Sequence, residues 1–233
     1  MYPKFTLLCI REAIFCLYFC LKKTIMEKII LSNKNYCIYK VGEECLMELS
    51  EFVVSENYKH HTSCCEDIDM TQEIRHVYHE ELRYSKRSHI FIVRDLQGKL
   101  IGSIRVFKWN KKDSLPIEEL FNINPLERLG DEKSRSYWHV GRFAIDSHAG
   151  ISTLNIFKIL MTLAIEPIIK DTNSYMIAET DSKLVRVVNA LGIQTIALDK
   201  PIQYLASDTV PLYSSKSGLI DFYNRHKSLK EAS

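Results

Sequence analysis

The sequence has almost no net charge. Its 31 basic residues stand against 29 acidic ones, and a formal +2 lacks the basic excess with which polyphosphate chains are held. Nucleic acid is therefore not an expected partner. Glycine and proline are sparse, 8 and 6 in 233 residues, and no collagen-like period, Gln/Asn tract or internal repeat occurs, which excludes fibrous, disordered and solenoid classes. Disulfide spacing is also lacking: the 7 cysteines are odd in number, irregularly placed and without a C-x-x-C pair. That pattern fits neither a disulfide framework nor a structural zinc site, and points to the reducing cytoplasm. Cys37 and Cys45 are read as small buried apolar residues. His60, His61, Cys64 and Cys65, with Glu66 and Asp67, crowd soft ligands together, but adjacent pairs suit one tetrahedral ion poorly, so a polar loop and no metal are expected.

A membrane-length apolar run is missing too. Residues 5–21 are apolar except for Arg11 and Glu12 in their middle, which are costly at a bilayer centre, and no small-residue cleavage site follows. Lys4, Arg11, Lys22 and Lys23 make this stretch basic, whereas the remainder is close to neutral. Residues 1–25 are read as an N-terminal extension, with Met26 as the natural start of a single domain over 26–233. A membrane-surface anchor is the other reading, and membrane contact falls only to residues 1–25.

What the chain does have is 46% hydrophobic residues, enough for one sizeable core. Apolar residues at three and four residue spacings predict helices over 43–55 (Leu46, Leu49, Phe52, Val53) and 72–87 (Ile74, Val77, Tyr78, Leu82). Two β-rich runs, 89–94 and 99–107, flank Asp95-Leu-Gln-Gly98 and predict the central hairpin. Residues 111–136, broken by Pro116 and Pro125, read as a long loop with one helical turn. Strands follow over 137–145, 175–178, 193–198 and 209–213, with helices over 152–169, 182–191 and 218–225. Gly192 ends the second of these helices, and Pro167 weakens the first near its end. The order predicts an α/β (α+β) sandwich: a mixed, mainly antiparallel central sheet with helices on both faces.

Three stretches carry a resemblance. They are Phe91-Ile-Val-Arg-Asp-Leu-Gln-Gly-Lys-Leu-Ile-Gly-Ser-Ile-Arg105-Val, Trp138-His-Val-Gly-Arg-Phe-Ala-Ile-Asp146, and Asp181-Ser-Lys-Leu-Val-Arg-Val-Val-Asn-Ala-Leu-Gly192 followed by Asp199-Lys-Pro-Ile-Gln-Tyr. Over residues 69–213 these resemble the Gcn5-related N-acyltransferase (GNAT) superfamily, in the branch of acyl-homoserine lactone synthases and N-acyl amino acid synthases. The most specific is the second, similar to a W-E-x-x-R-F-A-V-D segment. His139 stands where that segment has glutamate. The superfamily's coenzyme A signature is replaced by Asp146-Ser-His-Ala-Gly-Ile151, and a single glycine lacks the usual backbone cradle for a pyrophosphate.

The resemblance implies an N-acyltransferase, autoinducer synthase-like, that moves an acyl group, expected to be fatty, from a carrier thioester to the amine of a small polar acceptor such as an amino acid. Acyl carrier protein or coenzyme A would carry the donor, with no tightly bound cofactor. An acetyl-CoA-dependent N-acetyltransferase and a non-catalytic binding module are the alternatives. His139 is the candidate base and Glu179 its rival. Structural roles for them are a buried bonded histidine and a helix cap. Arg105, Arg142 and Asp181 are candidate acceptor-binding residues: the two guanidiniums would clamp a carboxylate, unless an ion pair with Asp95, Glu179 or Asp181 occupies them. Trp109, Trp138 and Phe143 would line an acyl channel or belong to the core. Backbone N–H groups of Phe143, Ala144 and Ile145 would face the thioester oxygen.

Overall fold

The computed structural model describes residues 27–61, 69–204 and 207–230. The extension at 1–25 and most of the His60 to Asp67 cluster fall outside them. Chain order begins with strands Lys28–Ser32 (β1) and Tyr36–Val41 (β2), then helices Leu46–His61 (α1) and Thr71–Tyr84 (α2). The hairpin Ser88–Asp95 (β3) and Leu100–Lys108 (β4) comes next, as alternation and turn chemistry predict. Asp95 Oδ1 accepts from the N–H groups of Gln97 and Lys99, and Gly98 takes a φ of 83° that a side chain would resist.

The segment read as a long loop with one helical turn holds two short helices, Pro116–Phe121 (α3) and Pro125–Leu129 (α4). Each opens on a proline, whose missing N–H costs nothing in a first turn. Strand Ser136–Ile145 (β5), helix Thr153–Lys170 (α5), strand Ser174–Asp181 (β6) and helix Ser182–Ala190 (α6) follow. The chain ends through Ile196–Ala197 (β7), Ile202–Tyr204 (β8), Ser207–Ser215 (β9) and Lys216–His226 (α7). Helix α1 therefore runs past the predicted end at 55, and α5 runs through Pro167 to Lys170.

The sheet runs β1-β2-β3-β4-β5-β6-β9-β7, with β8 also on β9. Every pairing is antiparallel except β5 with β6. Helices α1 and α2 cover one face, and α5, α6 and α7 the other. Ile156, Leu160, Ala164 and Ile168, spaced by four along α5, are fully buried against Ile101, Ile104 and Val106 of β4. Burying each large aliphatic side chain of this kind contributes about 1.5–3 kcal/mol.

Two expectations need correction. Leu82 of α2 is 37% exposed, and Glu80 and Glu81 occupy the inward positions between Val77 and Tyr84. Cys37 is only half-buried, whereas burial, with Glu27 and Glu44 nearby, pushes the thiol of buried Cys45 up to about 12. None of the described helices is long and apolar enough to cross a membrane.

Helix α5 approaches the sheet over Gly102, where a Cβ would meet Ile156 Cγ2 at 3.1 Å and Val93 Cγ2 at 3.2 Å. Gly102→Ala is expected to cost about 1–3 kcal/mol by overpacking this contact. Urea denaturation of the variant checks it.

Candidate active site

Strands β5 and β6 pair in parallel only from Ser136 opposite Ser174 to His139 opposite Ile177. Beyond that point they part. Residues 140–145 thus present an edge with no strand partner on that side among the described residues, and a cavity of about 560 Å³ opens between the strands. One arm of the cavity is apolar, walled by Met161, Met176, Ala178, Leu184, Val188 and Leu212. The other holds Glu80, Arg105, His139, Arg142, Glu179 and Tyr204.

A bulge in β5 decides which side chains reach the polar arm. Ser103 lies opposite Ala144 but Arg105 opposite Gly141, so β5 carries one extra residue. Arg142 absorbs it with a φ of 55°, and its carbonyl accepts from Ser103 Oγ at 2.8 Å. In an unbroken strand, His139 and Arg142 would point to opposite faces. Here both face α2, while Phe143 packs edge-on against Phe157 of α5 at 5.2 Å.

His139 sits at the fork. Its ring stacks on Phe107, with centroids 5.3 Å apart, and Phe107 stacks on Tyr84 at 4.6 Å. Nε2 lies 2.8 Å from Glu179 Oε2 on β6. His139 is 1% exposed, and Glu179 Oε1 has no hydrogen-bond partner. With Glu179 ionised, Nε2 carries the proton of this bond and Oε1 is left free to accept.

Beside this pair lies a buried charge quartet. Arg142 Nε donates to Glu81 Oε1 at 2.7 Å, and Arg142 Nη2 lies 2.6 Å from Glu80 Oε1. Arg105 Nε is 3.1 Å from Glu81 Oε2, its guanidinium 4.8 Å from the Phe107 ring centroid. Burial, the largest influence, lowers Arg105 below the ordinary arginine value. Burial also disfavours the charge on Arg142, but Glu80 and Glu81 outweigh it and raise Arg142. Glu80 is subject to the same contest: burial would raise it, yet Arg142 and then Arg105 hold it below the usual 4.5.

Arg105 and Arg142, expected to clamp an acceptor carboxylate, both line the cavity and are instead held in ion pairs, with Glu80 and Glu81 rather than Asp95, Glu179 or Asp181. Glu80 and Glu81 were missed. Their signal was two adjacent acids on the face of α2 that also carries Val77 and Tyr84. Tyr204 was missed as well; burial foremost raises its phenol above the usual range. Asp181 lies at the cavity wall but caps α6, its Oδ1 accepting from Lys183 N at 2.6 Å, so the cap expected of Glu179 belongs to Asp181.

Phe143, Ala144 and Ile145 line the cavity. Trp109 and Trp138, expected in an acyl channel, do not: Trp109 packs with Tyr137 and donates to the Asp113 carbonyl, and Trp138 donates to Asp171 Oδ2 under α5. Among the described residues, no group of three or more His, Cys, Asp or Glu side chains is placed to hold a metal ion.

Removing Glu81 leaves Arg105 and Arg142 buried with one carboxylate between them. Glu81→Ala is expected to destabilise by about 3–5 kcal/mol, measured as a fall in Tm and in the urea midpoint. Glu80 has a folded pKa below its unfolded one, so its contribution is fully present above pH 4.5 and lost as pH falls through the lowered folded value. Glu80→Gln should therefore lose less stability than wild type as pH falls below 4.5, in urea titrations at successively lower pH.

No protein-family model matches the chain, and neither does any curated protein. Solved structures do match. The AHL synthase LasI superposes with a TM-score of 0.53 at 12% identity, over 81% of this chain and 94% of that one. FeeM, an N-acyl amino acid synthase from uncultured soil microbes, gives 0.52 at 14% identity, over 77% and 89%. An uncharacterized protein from Bacillus halodurans gives 0.50 at 12% identity, over 88% and 97%. The architecture expected from the sequence is the one observed.

Proposed function

We propose that this chain, which has the fold of the GNAT acyltransferases, transfers an acyl group from a thioester to the amine of a small polar acceptor. The observation that carries this reading is the His139–Glu179 pair at the fork of β5 and β6, in the cavity wall and with one carboxylate oxygen buried and unpartnered. An acceptor ammonium delivers its proton to Glu179 Oε1, and the neutral nitrogen attacks the thioester carbonyl. The C–N bond forms, the C–S bond breaks, and the second proton lost by the attacking nitrogen goes to the sulfur, which leaves as the thiol. His139 acts through Glu179: its bond to Oε2 fixes the carboxylate and shares the incoming charge.

The free edge of β5 supplies the remaining part. Backbone N–H groups among Phe143, Ala144 and Ile145 are the donors for the carbonyl oxygen as it gains charge, and they need no reorganisation because the strand is already held by β4. The apolar arm favours a fatty chain over a two-carbon one. The turn after β5 favours a carrier-protein donor over coenzyme A. Two of its N–H groups are already engaged, His148 N with Asp146 Oδ1 at 2.8 Å and Ala149 N with the Asp146 carbonyl, which leaves fewer for a pyrophosphate, and the Lys99 cation beside the turn is already held by Asp146 at 2.7 Å.

The test is thiol release by purified protein given a fatty acyl-carrier protein, a fatty acyl-CoA or acetyl-CoA, with and without a mixed amine pool. Amine-dependent release from a fatty thioester is expected. Glu179→Gln should lower kcat by about 10²–10⁴, and His139→Ala should lower kcat while leaving the donor KM near wild type. Wild-type turnover in Glu179→Gln would remove this carboxylate from the reaction. Release from acetyl-CoA alone would replace the fatty donor.

A further inference from the structure

The charges of the cavity do not suit the carboxylate clamp that two arginines suggest. Arg142 is held at 2.6 Å and 2.7 Å by Glu80 and Glu81, and Glu81 also holds Arg105 at 3.1 Å. Two guanidiniums thus face two carboxylates and the quartet is neutral. To grip an acceptor carboxylate at two points through Nη2, Arg142 would have to release Glu80, which is 4% exposed, and leave that charge buried without a partner, while Nη1 alone offers one point. Arg105 keeps an unpartnered Nη1, but it is 1% exposed and lies over the Phe107 ring, and one corner does not make the two-point grip that favours carboxylates.

The unsatisfied acceptor atoms point the other way. Two residues of the cavity wall each carry a buried carboxylate oxygen without a partner, Glu179 Oε1 on β6 and Glu56 Oε2 on α1. Glu56 is 3% exposed, and its other oxygen is bonded to Lys59 at 2.7 Å. Two buried carboxylate oxygens without donors are completed by N–H groups that a ligand brings, and they repel a ligand carboxylate.

We propose that the acceptor is a cationic amine without a carboxylate, and that Glu80 is the specificity-determining residue because it keeps Arg142 occupied. This rests on the acyl-transfer reading of the same site. Amino acids are excluded by the charge already built into the wall, whereas their decarboxylated amines meet Glu179 without a competing repulsion.

The test offers purified protein a fatty acyl-carrier protein or acyl-CoA together with two equimolar pools, α-amino acids and the corresponding decarboxylated amines, and counts N-acyl products by mass spectrometry. Wild type is expected to favour the amine pool at least tenfold. Glu80→Gln, which leaves Arg142 with Glu81 alone, should reduce that preference to threefold or less by gaining amino acid products. An equal or reversed wild-type preference overturns the inference and leaves acyl transfer standing, as does an unchanged preference in folded Glu80→Gln. If Glu80→Gln does not fold, the wild-type ratio decides. If neither pool is acylated with either donor, the acyl-transfer reading falls, and thermal-shift titration with the same pools decides this inference separately. A larger rise in Tm with amines sustains it, and an equal or larger rise with amino acids overturns it.

Discussion

One residue more in β5 than in β4 sets which side chains can meet. Backbone pairing requires that neighbours alternate between faces, so an odd separation puts His139 and Arg142 on opposite sides of any regular strand. The extra residue between Gly141 and Ala144 reverses that for Arg142 and sends Phe143 to the α5 side. The same irregularity lies just beyond the point where the sheet forks, because β6 follows β5 only as far as His139. A strand that stayed regular and fully paired would have neither a cavity at its edge nor a cation at its wall. The chemistry proposed for the cleft is thus inherited from a backbone feature.

The buried quartet of Glu80, Glu81, Arg105 and Arg142 is the counterpart of that feature in side chains. Pairing of buried charges seldom adds net stability over an apolar alternative, but it fixes partners strongly once the charges are there. Here it ties α2 to β4 and β5 on the side of the fork where an acceptor would enter. Phe107 links the two groups, being stacked on His139 and close beneath the Arg105 guanidinium. Gly141 makes the crowding feasible: a Cβ there would come within 3.0 Å of Arg105 Nη2 and 3.2 Å of His139 Cε1.

Most of the fold was legible because local chemistry and burial agree. Gly98 and Asp95 mark the hairpin turn, and the four-residue ladder of α5 marks its buried face. Of the short helices α3 and α4 only one helical turn is legible in a loop, because five or six residues are too few to display a period. Helix α2 was misread at Leu82, since a carboxylate on an inward face makes sense only with its partner, and Glu81 finds Arg142 61 positions along the chain. His139 and Glu179 were both visible as candidates but as rivals, because their meeting depends on the parallel register of β5 and β6. Trp109 and Trp138 show the converse failure: aromatic residues near a motif carry no information about which side of the sheet, or which end, they pack on.

The central claim is that the carboxylate at the fork takes a proton from an amine as it is acylated. Mass spectrometry of lipid extracts from cells overproducing the chain, set against cells making equal amounts of folded Glu179→Gln, addresses this most directly. The expected result is an N-acylated amine present in the first extract and absent from the second. The same new lipid in both extracts, or no new lipid in either, would contradict it.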